Sequence, residues 1–164
     1  MAIRIEDIQN AEVLGKFPTD ALDRISEWAD EIELDSGEDL SKDVGGGEWL
    51  YIIKTGMLGL YVSVGGDLLV PYAVLGTKRI VGMSGFPEER VFSITASTLI
   101  RVQAGPLRRY VMSEENMSLI VREELLRISR RRMAALVRAL SGRDSAAWGA
   151  VIGPAPKDAA RRPG

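Results

Sequence analysis

Between Glu31 and Gln103 the apolar residues recur at every second position and glycine interrupts them at short intervals, while on either side they recur with helical spacing. Period two is the signature of strands whose side chains alternate between two faces, so this middle span reads as sheet. The segment "EIELDSGEDL" alternates and turns at Ser36-Gly37. "DVGGGEWLYIIKTG" turns at Gly45 to Gly47, runs through Trp49 to Lys54 and turns again at Thr55-Gly56. "MLGLYVSVGGDLLVPYAVLG" reads as a hairpin around Gly65-Gly66-Asp67, where glycine supplies the positive φ of a tight turn. Pro71 lacks an N–H for the ladder, which places its strand at an edge or a bulge. "TKRIVGMS" and "VFSITASTLIRVQ" bring the number of short strands to about eight. Closely spaced strands with turn signals indicate a sandwich, a jelly roll or a small barrel.

The flanks are helical. Ile5, Ile8, Val13 and Leu14 predict one helix over Ile3 to Lys16, closed by Gly15. "FPTDALDRISEWAD" predicts a second, with Pro18 and Thr19 as start signal and Leu22, Ile25 and Ala29 on one face. After Gly105-Pro106, "PLRRYVM" gives one or two turns, and Ser113 as N-cap opens a helix running to Leu140, about 27 residues or roughly 40 Å long. On it Leu119, Leu126, Met133 and Leu140 repeat every seven residues, and Val121, Leu125 and Ile128 form a neighbouring stripe. One stripe covers the β-domain and the other, Leu119 to Leu140, is expected to meet a second copy as a short homodimer contact. The expected organisation is therefore one domain over residues 1–141 (helices 3–29, a β-roll over 31–103, helices 106–141), then a tail over 142–164, disordered from Lys157. In that tail Trp148, Val151 and Ile152 either dock or mark the start of a truncated output domain.

Composition narrows the chemistry. The 164 residues include neither histidine nor cysteine, which removes Ser-His-Asp and Cys-His catalysis, thiolate or imidazole zinc sites, histidine-ligated haem and disulfides. No catalytic residue, metal site or cofactor is expected. No apolar run approaches the roughly 18 residues of a membrane span, and "MAIRIEDIQN" has acids where a signal peptide is apolar, so the expectation is a cytoplasmic protein without a membrane partner. Residues 1–100 carry 8 basic and 17 acidic side chains, and residues 101–164 carry 13 and 6. The basic run "RISRRR", Arg127 to Arg132, is weighed between phosphate contacts and either a solvated helix face or salt bridges to the acidic part of the same or a partner chain. Its arginines spread round the helix, which favours a solvated face or salt bridges over a nucleic-acid partner.

Two short helices, a glycine-punctuated roll and a long closing helix, together with "LYIIKTGMLGLYV", Phe17, Gly37, Gly66 and Gly76, resemble the cyclic nucleotide-binding domain family, of the effector-domain type found in catabolite activators. The resemblance covers roughly residues 10 to 140 and implies an α+β fold: a double-stranded β-helix, or jelly roll, with short N-terminal helices and a long C-terminal one. It also implies a phosphate cassette at "VGMSGFPEERVFSITAST". In the family a Gly-Glu pair, helix-start amides and an arginine hold the ribose hydroxyl and the cyclic phosphate. Here Gly82 matches the glycine, Met83 stands at the glutamate with Ser84 after it, Arg90 falls near the phosphate arginine, and Phe92 and Ser93 follow where the family keeps small residues. Met83 accepts no useful hydrogen bond, and the ring of Phe92 is expected to fill the ligand space with Met83 and Phe86. The implied function is a stand-alone regulatory or sensory ligand-binding module, dimeric, that does not take cyclic AMP or cyclic GMP in the usual way. A cyclic nucleotide is the one ligand the resemblance itself offers. The alternative is a ligand-free scaffold acting through an unidentified protein partner; an enzyme using the roll as a cupin does is nearly excluded by the missing histidines. Only about 22 residues follow Gly142, too few for the helix-turn-helix that family regulators of transcription carry.

Overall fold

The computed structural model describes residues 3–65, 68–82 and 89–142. The elements run α1 (Ile5–Ile8), a 3₁₀ turn (Leu14–Lys16), α2 (Thr19–Ser26), β1 (Ala29–Leu34), α3 (Ser41–Gly46), β2 (Trp49–Thr55), β3 (Leu58–Ser63), β4 (Leu69–Leu75), β5 (Ile80–Val81), β6 (Glu89–Ser93), β7 (Ser97–Gln103), α4 (Ala104–Ser113) and α5 (Glu115–Leu140). The strands form two antiparallel sheets, ordered β1-β7-β2-β5 and β4-β3-β6. This is the expected α+β roll, short helices first and the long helix last, with seven strands among the described residues. The would-be eighth strand, in "SGEDL", is reduced to an isolated bridge from Asp39 to Phe92, flanked by Leu40 N–H donating to the Val91 carbonyl and Ser93 N–H to that of Glu38.

Alternation within the four-stranded sheet builds two cores. Leu50, Ile52, Ile80, Ile100 and Val102 point out of the roll and pack under α2, α4 and the first half of α5 with Leu22, Ile25, Leu107 and Met117. Their immediate neighbours Tyr51, Ile53, Val81 and Leu99 point inward and meet Leu58, Leu60, Tyr72 and Val91 of the other sheet. Both faces of β2 are buried, which is why "LYII" is apolar without a break. Helix α5 spans both cores: Met117, Val121, Leu125 and Ile128 lie on the first, and Ala135, Leu136 and Ala139 on the second, against β4. Pro71 sits in β4, the edge strand of its sheet, and the register against β3 shifts beside it, so that Pro71 opposes Tyr61 and Ala73 opposes Leu60. At the β2–β3 turn Gly56 takes φ +90°, and a Cβ there would lie 2.2 Å from Ser97 Oγ.

Helical boundaries differ from the sequence reading at five places, the second helix among them: it ends at Ser26, and Ala29, expected on its apolar face, opens β1 opposite Val102. The N-terminal helix breaks: Val13 takes φ 67°, ψ −59°, and Leu14 N–H donates to the Glu12 carbonyl at 2.7 Å, a tight γ-turn rarely adopted by a β-branched residue. Where the sequence reading has only a turn at Gly45 to Gly47, Ser41–Gly46 form α3: Leu40 is the N-cap, Asp39 Oδ1 just before it accepts from Ser41 N–H at 2.8 Å in an Asx turn, and the helix closes on Gly47 at φ 68°. Helix α4 starts at Ala104 rather than after Pro106; Pro106 falls in its first turn, where an N–H has no intrahelical partner to lose. Helix α5 has Glu114 as N-cap, while the Ser113 hydroxyl turns back to the Tyr110 carbonyl at 2.7 Å and closes α4. The expected tail beyond Gly142 lies outside the described residues.

Candidate functional site

Strand β6 decides what a ligand in the roll would meet. Along it Glu89, Val91 and Ser93 share one face and Arg90 and Phe92 the other. Val91 belongs to the core of the roll, and the phenol of Tyr72, from the same core, donates to a Glu89 carboxylate oxygen. The inward face therefore carries a buried acid, 7% exposed. Arg132 of α5, itself 6% exposed, reaches over this edge and donates through Nη2 to the carbonyl of Ile80, while its Nε has no hydrogen-bond partner among the described residues. Burial first, and then the adjacent Glu89 carboxylate, push the Tyr72 phenol well above its usual 10, with Arg132 pulling the other way. The phenol is thus a fixed neutral donor. Glu89 is legible in the sequence as an acid beside Arg90 that pairs with the arginine or repels an incoming phosphate; Tyr72 is not singled out there, although the Pro71 irregularity marks the place where β4 departs from regular pairing.

The outward face of β6 gathers the residues read as the phosphate end of the cassette. Arg90 Nη2 lies 2.7 Å from Asp39 Oδ2, and its guanidinium stands 5.7 Å from the centre of the Phe92 ring. Burial raises the Asp39 carboxyl, but donation from Ser41 and from Arg90 outweighs it and holds the group below the usual carboxylate range. Phe92 is buried and packs edge-on against Tyr61, ring centres 5.4 Å apart, with Leu69 alongside. Phe92 thus belongs to a small cluster apart from the core of the roll, because the alternation that sends Val91 inward sends its neighbour to the other face. Ser93 is buried, and its hydroxyl donates to the Thr95 carbonyl at 2.5 Å, closing the β6–β7 turn. Gly82 takes φ +109°, and a Cβ there would lie 2.5 Å from the Trp49 carbonyl oxygen, so backbone packing alone accounts for glycine. Met83, Ser84 and Phe86 lie outside the described residues.

The candidate dimer face is open to solvent. Leu119, Leu126, Met133 and Leu140 are 57%, 53%, 45% and 53% exposed, and Val137 joins them at 58%. Much of the basic run on the same helix is tied down. Arg131 pairs with Glu12, Arg127 with Glu124, and Arg132 with the Ile80 carbonyl. Glu124 also receives Lys16 Nζ at 2.5 Å; that bond first, aided by Arg127 and opposed by burial, keeps its carboxyl low. No helix among the described residues is long and apolar enough to cross a membrane.

No family model matches the chain, and no curated protein matches it in sequence. Solved structures match in shape. A Ruegeria pomeroyi protein named as cyclic nucleotide binding superposes with a TM-score of 0.60 at 12% identity, over 84% of this chain; the chain spans 62% of that protein. The sensor domain of the transcriptional regulator DNR from Pseudomonas aeruginosa gives 0.59 at 13% identity, over 78% of this chain and 92% of the domain. The regulatory subunit of a cAMP-independent protein kinase A from Trypanosoma cruzi, bound to guanosine, gives 0.56 at 18% identity, over 61% of this chain and 37% of the subunit. At such identities the likeness is one of fold: the chain has the fold of cyclic nucleotide-binding domains.

Proposed function

We propose that this chain is a cytoplasmic regulatory module that responds to a ligand other than cyclic AMP or cyclic GMP, and that it works as a homodimer joined along α5. The neighbours in fold are regulatory or binding proteins, which supports a sensory role and not a catalytic one. The observation that carries the choice of ligand is the parity of β6. Its inward face offers Glu89, a buried carboxylate, while Arg90 is engaged by Asp39 on the opposite face. An anionic phosphate against that inward face meets like charge from Glu89, with Arg132 as a neighbouring cation. Neutral or cationic groups able to donate to Glu89 suit the place better. Titration calorimetry with cyclic AMP and cyclic GMP tests this: no saturable binding is expected up to millimolar nucleotide. Micromolar affinity lost on Arg90→Ala would overturn the reading.

A scaffold that binds no small molecule is the second reading, favoured by the filled interior, where Tyr51, Leu58, Leu60, Val91 and Leu99 are all buried. Native mass spectrometry separates the two. A small molecule that travels with the folded protein sustains the sensor, and a bare polypeptide mass favours the scaffold.

A further inference from the structure

A cavity lies where the N-terminal turn meets the junction of α4 and α5. Its volume is about 360 Å³, at the small end of the range that holds organic ligands. Leu14, Phe17, Leu107, Val111, Val121 and Leu125 line it, together with Ser118, Arg108 and Arg122. The first four are buried residues of the helix-side core, so the floor is firm and apolar. Both arginines are exposed, and among the described residues neither makes a hydrogen bond or an ion pair. That sets them apart from Arg127, Arg131 and Arg132 further along α5, each already committed. A site with an apolar floor and two uncommitted cations selects a molecule of matching polarity: an alkyl chain for the floor and one anionic head for the guanidiniums.

We infer that this cavity binds a free, single-chain carboxylate of the medium-chain fatty-acid class, its tail between α4, α5 and the N-terminal turn and its head at Arg108 and Arg122. Because the walls come from both helices, an occupant fixes α4 relative to α5, and so reaches the helix that carries the exposed leucine stripe. This holds whether or not the roll itself has a ligand.

The test uses the full chain and dodecanoate below its critical micelle concentration, followed by calorimetry beside octanoate and decanoate. Affinity is expected to rise roughly fourfold per added methylene, with one molecule bound per chain. The methyl ester is expected to bind at least tenfold more weakly, and Arg108→Gln with Arg122→Gln to cause a similar loss. Both substitutions are at exposed positions, so the fold stays available for the measurement, and Leu125→Trp should block binding by filling the space. No binding by a protein that melts normally overturns the proposal, as does equal affinity for acid and ester. A titration that changes the sedimentation mass in place of saturating at one per chain overturns it too, placing a second copy in the cavity.

Discussion

Arg90 and Glu89 show how much turns on one step along a strand. The two side chains leave β6 on opposite faces, and the difference between a cation and an anion at the inward edge is the difference between welcoming and repelling a phosphate. The cassette resemblance selects the arginine because it is the residue type a phosphate needs. Alternation selects the glutamate, since Val91 must point into the core and Glu89 shares its face. A linear sequence gives the alternation but not its phase when the preceding loop differs in length. Phe92 goes the same way as Arg90, which makes its truncation a clean test. Phe92→Ala is expected to cost about 2–3 kcal/mol, since the ring is buried against Tyr61 and Leu69, though in a small cluster. For a chain of this size that is a drop of about 5–10 °C in Tm. It is also expected to leave nucleotide binding unchanged, because the space vacated is on the outer face. A calorimetric signal for cyclic AMP appearing in this variant would show that the ring had been closing the ligand space after all. Tyr72→Phe probes the other face: it takes a donor from the buried carboxylate of Glu89 and should cost about 1–3 kcal/mol, read from chemical denaturation. An unchanged midpoint would mean that Glu89 is satisfied without the phenol.

At the scale of elements, the strands and the long helix are legible because their periods are sustained. "LYIIKTGMLGLYV" becomes β2 and β3 joined at Gly56, and the expected end of α5 at Leu140 coincides with the structure. What sequence misses has local causes. Helix α3 contains Gly45 and Gly46, poor helix formers, and exists because Asp39 starts it and because Val91 N–H donates to Ser41 Oγ at 2.8 Å, a contact 50 residues away. The break in the first helix depends on Val13, whose strained φ no propensity anticipates. The site shows the same division. Gly82 is legible as a required glycine, whereas the meeting of Tyr72 and Glu89 under Arg132 joins three elements distant in sequence. The heptad stripe of α5 is legible in both senses, since the residues spaced by seven are the ones left exposed while Val121, Leu125 and Ile128 turn to the core. A stripe of that kind is worth covering with its own copy. Leu126→Glu, at its centre, is expected to halve the mass seen in sedimentation equilibrium with little loss of Tm, because the side chain makes no part of either core. A mass that stays the same in the variant removes this face as the dimer contact.

At the scale of the whole molecule, Glu12 ties the N-terminal segment to both the approach to β5 and α5. It precedes the strained Val13, and its carboxylate pairs with Arg79 at the approach to β5 and with Arg131 on α5, while Ile80 N–H donates to it at 3.2 Å. The γ-turn is kept by these bonds and by the burial of Val13 and Leu14 in the helix-side core. Any movement of α5 relative to the roll must break the Arg131 bond and the bond from Arg132 to Ile80, so this corner resists such a movement. Burial raises the Glu12 carboxyl, but the two guanidiniums and the Ile80 amide outweigh it, and the group titrates below its ordinary 4.5. A carboxyl lowered on folding contributes stability that is fully present above pH 4.5 and lost as pH falls through the lower folded value. Both arginines reach solvent, with side chains 42% and 43% exposed, so the contribution is smaller than that of a sealed pair. Glu12→Gln is therefore expected to cost about 1–2 kcal/mol at pH 7, a fall of about 2–6 °C in Tm. The gap to the parent protein should narrow as pH drops below 4.5 and the parent's carboxylate takes up its proton. Glu124, lowered in the same sense, loses its contribution in both proteins and cancels from the difference. Thermal melts of the pair across that range decide the matter, for a gap that persists in acid would assign the stability of this corner to packing around Val13 and not to charge.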